Sequence, residues 1–419
     1  MSVELLAPAG DMTCLQAALD AGADAVYLGL QTLNMRQLAT RNFTRETLPE
    51  ASARCRSRQV KLYLTLNSIL YEQELPELAE TLRFAQPYID AAIVADWSTV
   101  HVCKQLGIPF HISTQMSCSN SIAARFFVEQ GASRIVMARE CSLDEVAAIA
   151  KSGIAIETFV HGAICVAVAG RCLLSHEAYG CSSSRGECHQ PCRREFLIKE
   201  IREGENANAE FIVQPHTVLS ARDLCSLPFM DKLMAAGITS FKIEGRARNP
   251  EYVKTVVTAY RQAIRAVEDG SFNASRAEAL MADCAKVYHR EFSVGLFHGR
   301  PGAQQFTNTD ANQATSKKLY VGLVQNYYPQ AQVAQILIHD QVIALGDTLA
   351  IHGATTGVVD MRVTDLRRDE EVCTRAERGS PSPALNVCAP TTKFISSLTH
   401  VNDSSKVLKF ESSKVKLET

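Results

Sequence analysis

Residues 4–28, ELLAPAGDMTCLQAALDAGADAVYL, decide the fold. Residues 4–7 are an apolar run of strand length, residues 12–21 carry apolar side chains at helical spacing, and residues 25–28 are again strand-like. Strand, helix, strand in so short a stretch predicts two parallel strands joined by a crossover helix. The alternation continues along the chain. Strand-like runs fall at 61–66, 91–95, 110–113, 134–137, 154–160 and 240–244, and amphipathic helical segments at 48–58, 75–84, 98–106, 119–130 and 143–152. Eight such runs in about 250 residues predict an α/β fold, a closed TIM-like (β/α)8 barrel, with an open doubly wound sheet as the alternative. The turn after the first strand, AGDMTC, lacks the glycine spacing of a dinucleotide-binding loop, which counts against the open sheet.

A barrel of this kind places its active site at the carboxyl ends of its strands. The residues there are Asn67, Asp96, Gln115, Arg139, Glu140, His161, Glu244 and Arg246. Asp96, followed by Trp97 and Ser98, is equally suited to capping a helix. Asn67, Gln115 and Arg139 are substrate-contact candidates. His161 and Glu244, each next to a glycine at the end of an apolar run, are the candidates for handling protons.

Between the seventh and eighth strands the chain inserts residues 173–227, too long for an ordinary loop and expected to fold over the barrel mouth as a cap. Five of the fourteen cysteines, Cys165, Cys172, Cys181, Cys188 and Cys192, fall in or beside it, and residues 174–194 are rich in Ser, Gly, His and charge. The other cysteines are scattered on apolar or mixed faces, as packing thiols usually are. No secretory signal opens the chain, so a cytoplasmic, reducing setting is expected, which argues against disulfides. An iron-sulfur cluster, zinc and no metal at all remain open, although only Cys188 and Cys192 approach the spacing of a structural zinc pair.

The composition is 46 % hydrophobic and 21 % charged, with a formal net charge of −2. No apolar run is long enough to span a membrane, and the net charge gives no global pull toward nucleic acid. Residues 1–301 are expected to form the barrel, 302–318 a polar linker and 319–403 a small β-barrel domain of short strands and turns. Residues 404–419 are expected to form a flexible tail. The region 311–419 holds 12 Lys and Arg against 11 Asp and Glu, which does not make it a basic clamp.

Several motifs in fixed order, ELLAPAG (4–10), GADAVYLG (22–29), HGAIC with GRC (161–172), GEC (186–188), FKIEGRARNPEYV (241–253) and YHREFSVGLFHG (288–299), resemble peptidase family U32, the collagenase-like proteins. The resemblance implies more than proteolysis. Family members include a prephenate-dependent tRNA uridine hydroxylase, a 23S rRNA cytidine hydroxylase and a pair acting without oxygen on ubiquinone precursors. Those members hold a 4Fe-4S cluster on four cysteines. By position the resemblance places these ligands on Cys165, Cys172 and Cys188, and the fourth on Cys192, the spacing of the tRNA-type members. Cys181 and Cys225 match no family ligand. It further implies prephenate as hydroxyl donor, with Arg171 and Arg246 to bind its carboxylates, since guanidinium matches that group with paired hydrogen bonds. A carboxy-terminal domain is shared with the RNA-modifying members. RNA is then the expected substrate, with a U32 peptidase and a quinone-pathway hydroxylase as alternatives. The chain carries neither HExxH nor GxSxG, the common peptidase motifs.

Overall fold

The computed structural model describes residues 3–38, 40–194, 198–199, 212–213, 219–299, 305–307, 312–328, 330, 333–368, 371–378, 385–388 and 397–403. The polar segment 203–210 of the insertion, most of the expected linker before residue 312, and the expected tail 404–419 lie outside the described residues. The chain divides into two compact units, residues 1–313 with 352–358, and residues 314–351 with 359–419.

The first unit is the barrel. Its strands are β1 (Glu4–Pro8), β2 (Ala25–Leu28), β3 (Lys61–Leu66), β4 (Ala91–Val94), β5 (Phe110–Ile112), β6 (Arg134–Val136), β7 (Ile156–Gly162) and β8 (Ser240–Ile243). Each pairs in parallel with the next, and β8 closes the sheet on β1. Between the strands run α1 (Met12–Asp20), α2 (Leu48–Ser57), α3 (Leu75–Ala85), α4 (Trp97–Leu106), α5 (Ser121–Glu129) and α6 (Leu143–Ala150). Local chemistry fixes where they start. Asp11, Asp96 and Asn120 each accept a backbone N–H of the first turn of α1, α4 and α5, and Ser142 and Glu145 form a capping box on α6. Asp96 is thus the cap of α4, its carboxylate 2.8 Å from the N–H of Ser98.

Strand alternation divides the core. Leu5, Ala7, Val26, Leu28, Leu62, Leu64, Ala92 and Val94 face outward into one large cluster beneath the helices. Leu6, Ala25, Tyr27, Tyr63, Ala91 and Ile93 form a second cluster inside the barrel. Each fully buried leucine in such a layer contributes roughly 1.5–3 kcal/mol. Toward the amino ends of the strands the interior turns ionic. Arg134 bridges Glu4 and Glu157, Lys242 Nζ lies 2.9 Å from Glu157, and Tyr63 and Ser240 donate to Glu4. Glu157 is fully buried, so these partners offset a large desolvation cost.

Between β7 and β8 the chain forms the cap. It contains α7 (Leu174–Tyr179) and returns through a short strand, Asp223–Cys225, antiparallel to the end of β7, before α8 (Met230–Ala235) leads into β8. After β8, α9 (Pro250–Glu268) and α10 (Ala274–Cys284) pack on each other, with Tyr252 and Tyr260 of α9 fully buried.

The second unit is β-structured among its described residues. Ser316–Tyr328 pairs antiparallel with Val333–Ile338 and with Ser397–Asp403 in an eight-stranded sheet. Val321, Ala334, Ile336, Leu349, Ile351, Met361 and Leu366 form its core. The α/β barrel followed by an antiparallel β unit is the fold expected from the sequence.

Candidate functional site

The carboxyl ends of the strands enclose a polar cavity of about 50 Å³. Tyr27 of β2, Thr65 and Asn67 at the end of β3, Gln115 after β5 and Arg139 after β6 contribute to its wall. Lys242 of β8, Glu244 and Arg246 after it, and Arg36 from the connection between β2 and α2 complete the charged set. Arg246 is almost wholly buried and donates to Thr65 Oγ1 at 2.9 Å and to Asn34 Oδ1 at 3.0 Å. Gly29 makes this possible, because a Cβ there would stand 2.2 Å from Nη1 of Arg246. Burial lowers the Arg246 guanidinium to about 10.

Glu244 is the counter-charge. Its Oε1 lies 3.2 Å from Arg36 Nη2 and its Oε2 lies 3.3 Å from the Tyr27 hydroxyl. Burial disfavours the carboxylate, but Arg36, Arg139, Arg246 and Lys242 outweigh it and take the carboxyl down to about 2. Glu244 is therefore a fixed anion at neutral pH. Lys242 has its charge taken by Glu157, which leaves three guanidiniums around one carboxylate. Arg139 donates to the carbonyl of Ala163 at 2.7 Å and lies 4.0 Å over the Phe159 ring. Asn67 and Gln115 join side chain to side chain at 3.3 Å.

A second cavity of about 140 Å³ lies against the first, sharing Met35, Arg36, Thr114, Gln115 and Arg139 as walls. Its outer wall is the cap, and Cys165, Cys172, Cys188 and Cys192 all line it. All four are free thiols, Cys165 exposed and the other three half-buried. Burial raises the Cys192 thiol, the Arg193 charge offsets this, and Cys165, Cys188 and Cys172 add to the rise. Burial disfavours the charge of Arg36, but Glu244, with a smaller contribution from nearby Cys188, outweighs it. Among the described residues no three Cys, His, Asp or Glu side chains gather as a metal-holding group. A tetrahedral zinc ion with sulfur at about 2.3 Å needs thiolates within roughly 4 Å of one another. An iron-sulfur cluster is a larger body held from around its edge, so four thiols distributed over one cavity wall suit it better.

Two of the candidates, His161 and Arg171, lie outside both cavities. Simple alternation from Glu157 and Phe159 on β7 would turn His161 into the barrel, but β7 carries an extra residue, Val160, between the Phe159–Lys242 and His161–Ile243 pairs, which shifts the register. His161 faces the helices instead, among the rings of Tyr252, Tyr260 and Phe292, with Nδ1 3.3 Å from the Tyr260 hydroxyl. Burial there pushes it down to about 3, with His289 and Arg248 adding to the effect. The glycine beside it serves the backbone, since Gly162 has φ 105° and a Cβ would meet the Glu244 carbonyl at 2.4 Å. Arg171 is exposed and lines neither cavity, donating instead to the backbone carbonyl of Gln115 at 3.1 Å. Cys181 hydrogen-bonds the carbonyl of Tyr179 outside the cavity, and Cys225 is buried against Tyr260.

Arg36, Tyr27 and Lys242 are site residues that the sequence reading missed. For Arg36 one signal was available: residues 29–47 are far longer than an ordinary βα connection, and such loops at the catalytic face of a barrel carry function.

The model of Peptidase family U32 matches residues 10–307. An uncharacterized protease of Methanocaldococcus jannaschii is 38 % identical over 390 residues, covering 90 % of this chain and 94 % of its own. A collagenase of Porphyromonas gingivalis is 35 % identical, covering 90 % of this chain and 92 % of its own. The tRNA hydroxylation protein P1 of Bacillus subtilis is 34 % identical over 339 residues, covering 80 % of this chain and 79 % of its own. With the family motifs placed around one barrel mouth, and relatives matching along most of its length, the chain belongs to peptidase family U32.

Proposed function

We propose that this chain hydroxylates a pyrimidine base of RNA without molecular oxygen, with an iron-sulfur cluster on Cys165, Cys172, Cys188 and Cys192 and prephenate as hydroxyl donor. One observation carries the proposal: four thiols line a cavity that shares its wall with a pocket of three guanidiniums around one carboxylate. An unbalanced buried cation calls for an anion, and prephenate brings two carboxylates. Arg246 is the rigid anchor, tied on its far side to Thr65 and Asn34. Arg36 and Arg139 stand in both cavities and so can hold the donor between the cysteines and the barrel floor. Glu244 orients Arg36 and fixes the position of the remaining charge. When bound, the cluster would supply the one-electron chemistry by which the two electrons released as a ring C–H becomes C–OH pass to an electron acceptor outside the chain. The relative named for tRNA hydroxylation supports an RNA substrate.

The relatives named collagenase and protease favour a second reading, a peptidase. Nucleoside mass spectrometry of tRNA and ribosomal RNA from a strain lacking this chain separates the readings. Loss of a hydroxylated uridine or cytidine is expected. Normal RNA with altered quinones would point to the quinone pathway, and normal RNA with peptide release from gelatin by the purified protein would point to proteolysis.

A further inference from the structure

The outer cavity has a rim that neither the cysteines nor the inner pocket explains. Ser175 of α7 lines the cavity, and Tyr179 stands one helical turn further along the same face. The Tyr179 ring lies 4.9 Å from the ring of His189, which sits in the chain between the cavity-lining residues Cys188 and Gln190. The backbone N–H of His189 is tied to Ser175 Oγ at 3.2 Å, which holds the two rings together. The Arg194 guanidinium lies 5.2 Å from the centre of the same tyrosine ring. All three side chains are exposed, Tyr179 by 38 %. Val168 and Leu173, exposed by 62 % and 72 %, stand on the same cap, each beside residues of the cavity wall. Residues 163–194 contain four arginines against two glutamates, and one of those glutamates, Glu187, accepts the backbone N–H of Ser182. Arg185 is paired with Glu74 from outside the segment, so the local excess of positive charge rests on the other three arginines, of which Arg171 and Arg194 are exposed.

We infer that Tyr179, His189 and Arg194 form a stacking platform for an unpaired RNA base next to the one that enters the cavity, an inference that rests on the proposed RNA substrate. Chemistry on a base requires that the base leave its helix or lie in a single strand, and its neighbour then needs a surface to stack on. Aromatic rings flanked by a guanidinium provide that surface for any base, because every base has a π-face. The exposed arginines of the cap meet phosphates, so the contact is with the polymer and not with the small donor. A protein partner would use the same exposed side chains for apolar burial, and would not distinguish a ring from an aliphatic group of similar size.

The test is binding and modification of total tRNA and ribosomal RNA taken from a strain lacking this chain. The full-length parent is compared with Tyr179→Ala, Tyr179→Leu and Tyr179→Phe, and iron content is followed as the control for an intact cap. Tyr179→Ala and Tyr179→Leu are expected to weaken RNA binding about tenfold, at the low end of one base stack. Tyr179→Phe is expected to stay within about twofold, because it keeps the ring. All three should keep the parent's iron. If the parent binds and modifies RNA while Tyr179→Ala matches it, the platform is wrong and the RNA reading stands. If Tyr179→Leu restores binding, the surface acts by apolar packing and the stacking role is overturned. If the parent neither binds nor modifies RNA, the functional reading fails and the platform with it.

Discussion

Replacing Glu244 by Gln removes the one carboxylate facing three guanidiniums in the inner cavity. The carboxyl sits at about 2 against an ordinary value of 4.5, and its side chain is only 13 % exposed. A depression of that size corresponds to ~3 kcal/mol of stability at neutral pH. Because the folded value is the lower one, this contribution is complete above about pH 4.5 and disappears as pH falls through about 2. Glu244→Gln has no such titration. The variant is therefore expected to be ~3 kcal/mol less stable than the parent at pH 7, and the deficit should shrink to about half of that at pH 3. The single tryptophan, Trp97 on α4, stacks on Phe127 within the barrel unit, so its fluorescence follows urea unfolding of that unit. A dicarboxylate such as malonate should then raise the variant's urea midpoint more than the parent's, since Arg36 has lost its internal partner. A variant as stable as the parent at pH 7, or a deficit unchanged at pH 3, would refute the assignment of Glu244 as the ionised counter-charge.

Single changes of Cys165, Cys172, Cys188 or Cys192 to Ala should each lower the iron of protein purified without oxygen from about four per chain, while Cys181→Ala and Cys225→Ala should not. Zinc in place of iron under those conditions would overturn the cluster. His161→Phe should leave RNA hydroxylation in cells within about twofold of the parent, because the ring faces α9 and not the cavity; a stable variant without activity would put His161 back in the chemistry. Arg246→Met should abolish stabilisation by malonate, and Arg171→Ala should leave it intact, measured as shifts in the urea midpoint; the reverse order would show that the anion sits on the cap and not in the barrel.

Much of the barrel was legible in the sequence because parallel strands covered by helices are nearly continuous apolar runs. Runs at 25–28 and 61–66 coincide with β2 and β3. Cys188 and Cys192 stood out for a different reason: they stand in a polar segment, 174–194, where packing cannot account for them, whereas Cys165 and Cys172 were singled out by the family motifs. The failures are all long-range. Glu4, Arg134, Glu157 and Lys242 look in sequence like strand-end polar residues, yet three of them, Glu4, Arg134 and Glu157, meet through Arg134 across the barrel axis from strands far apart in the chain. The bulge at Val160 lies inside an unbroken strand-like run, Phe159 to His161, and it reverses the direction of a side chain that alternation otherwise fixes. Arg36 lies in a loop without periodicity, and only its return to Glu244, more than two hundred positions later, gives it a role.

The ionic floor also explains how a chain of net charge −2 presents a cationic site. Below the pocket, Glu4 and Glu157 balance Arg134 and Lys242, so the charge of Lys242 is held downward even though the residue lines the cavity. Lys242 Nζ also lies 4.5 Å from the centre of the Tyr27 ring. Above that layer, Arg36, Arg139 and Arg246 share one carboxylate. The excess is thus a property of one layer of side chains and is invisible to any sum over the chain. In a pocket this enclosed the charges are weakly screened, and the guanidiniums cannot shed their charge by titrating near neutral pH. An anionic ligand would meet this electrostatic demand, and under the proposed function two carboxylates on one small molecule match it better than a single phosphate of a polymer, which the cap would have to admit past the cysteines. On the proposed reading the two cavities divide the work: the inner one would select a compact dianion, and the outer one, with its aromatic and basic rim, would receive the RNA.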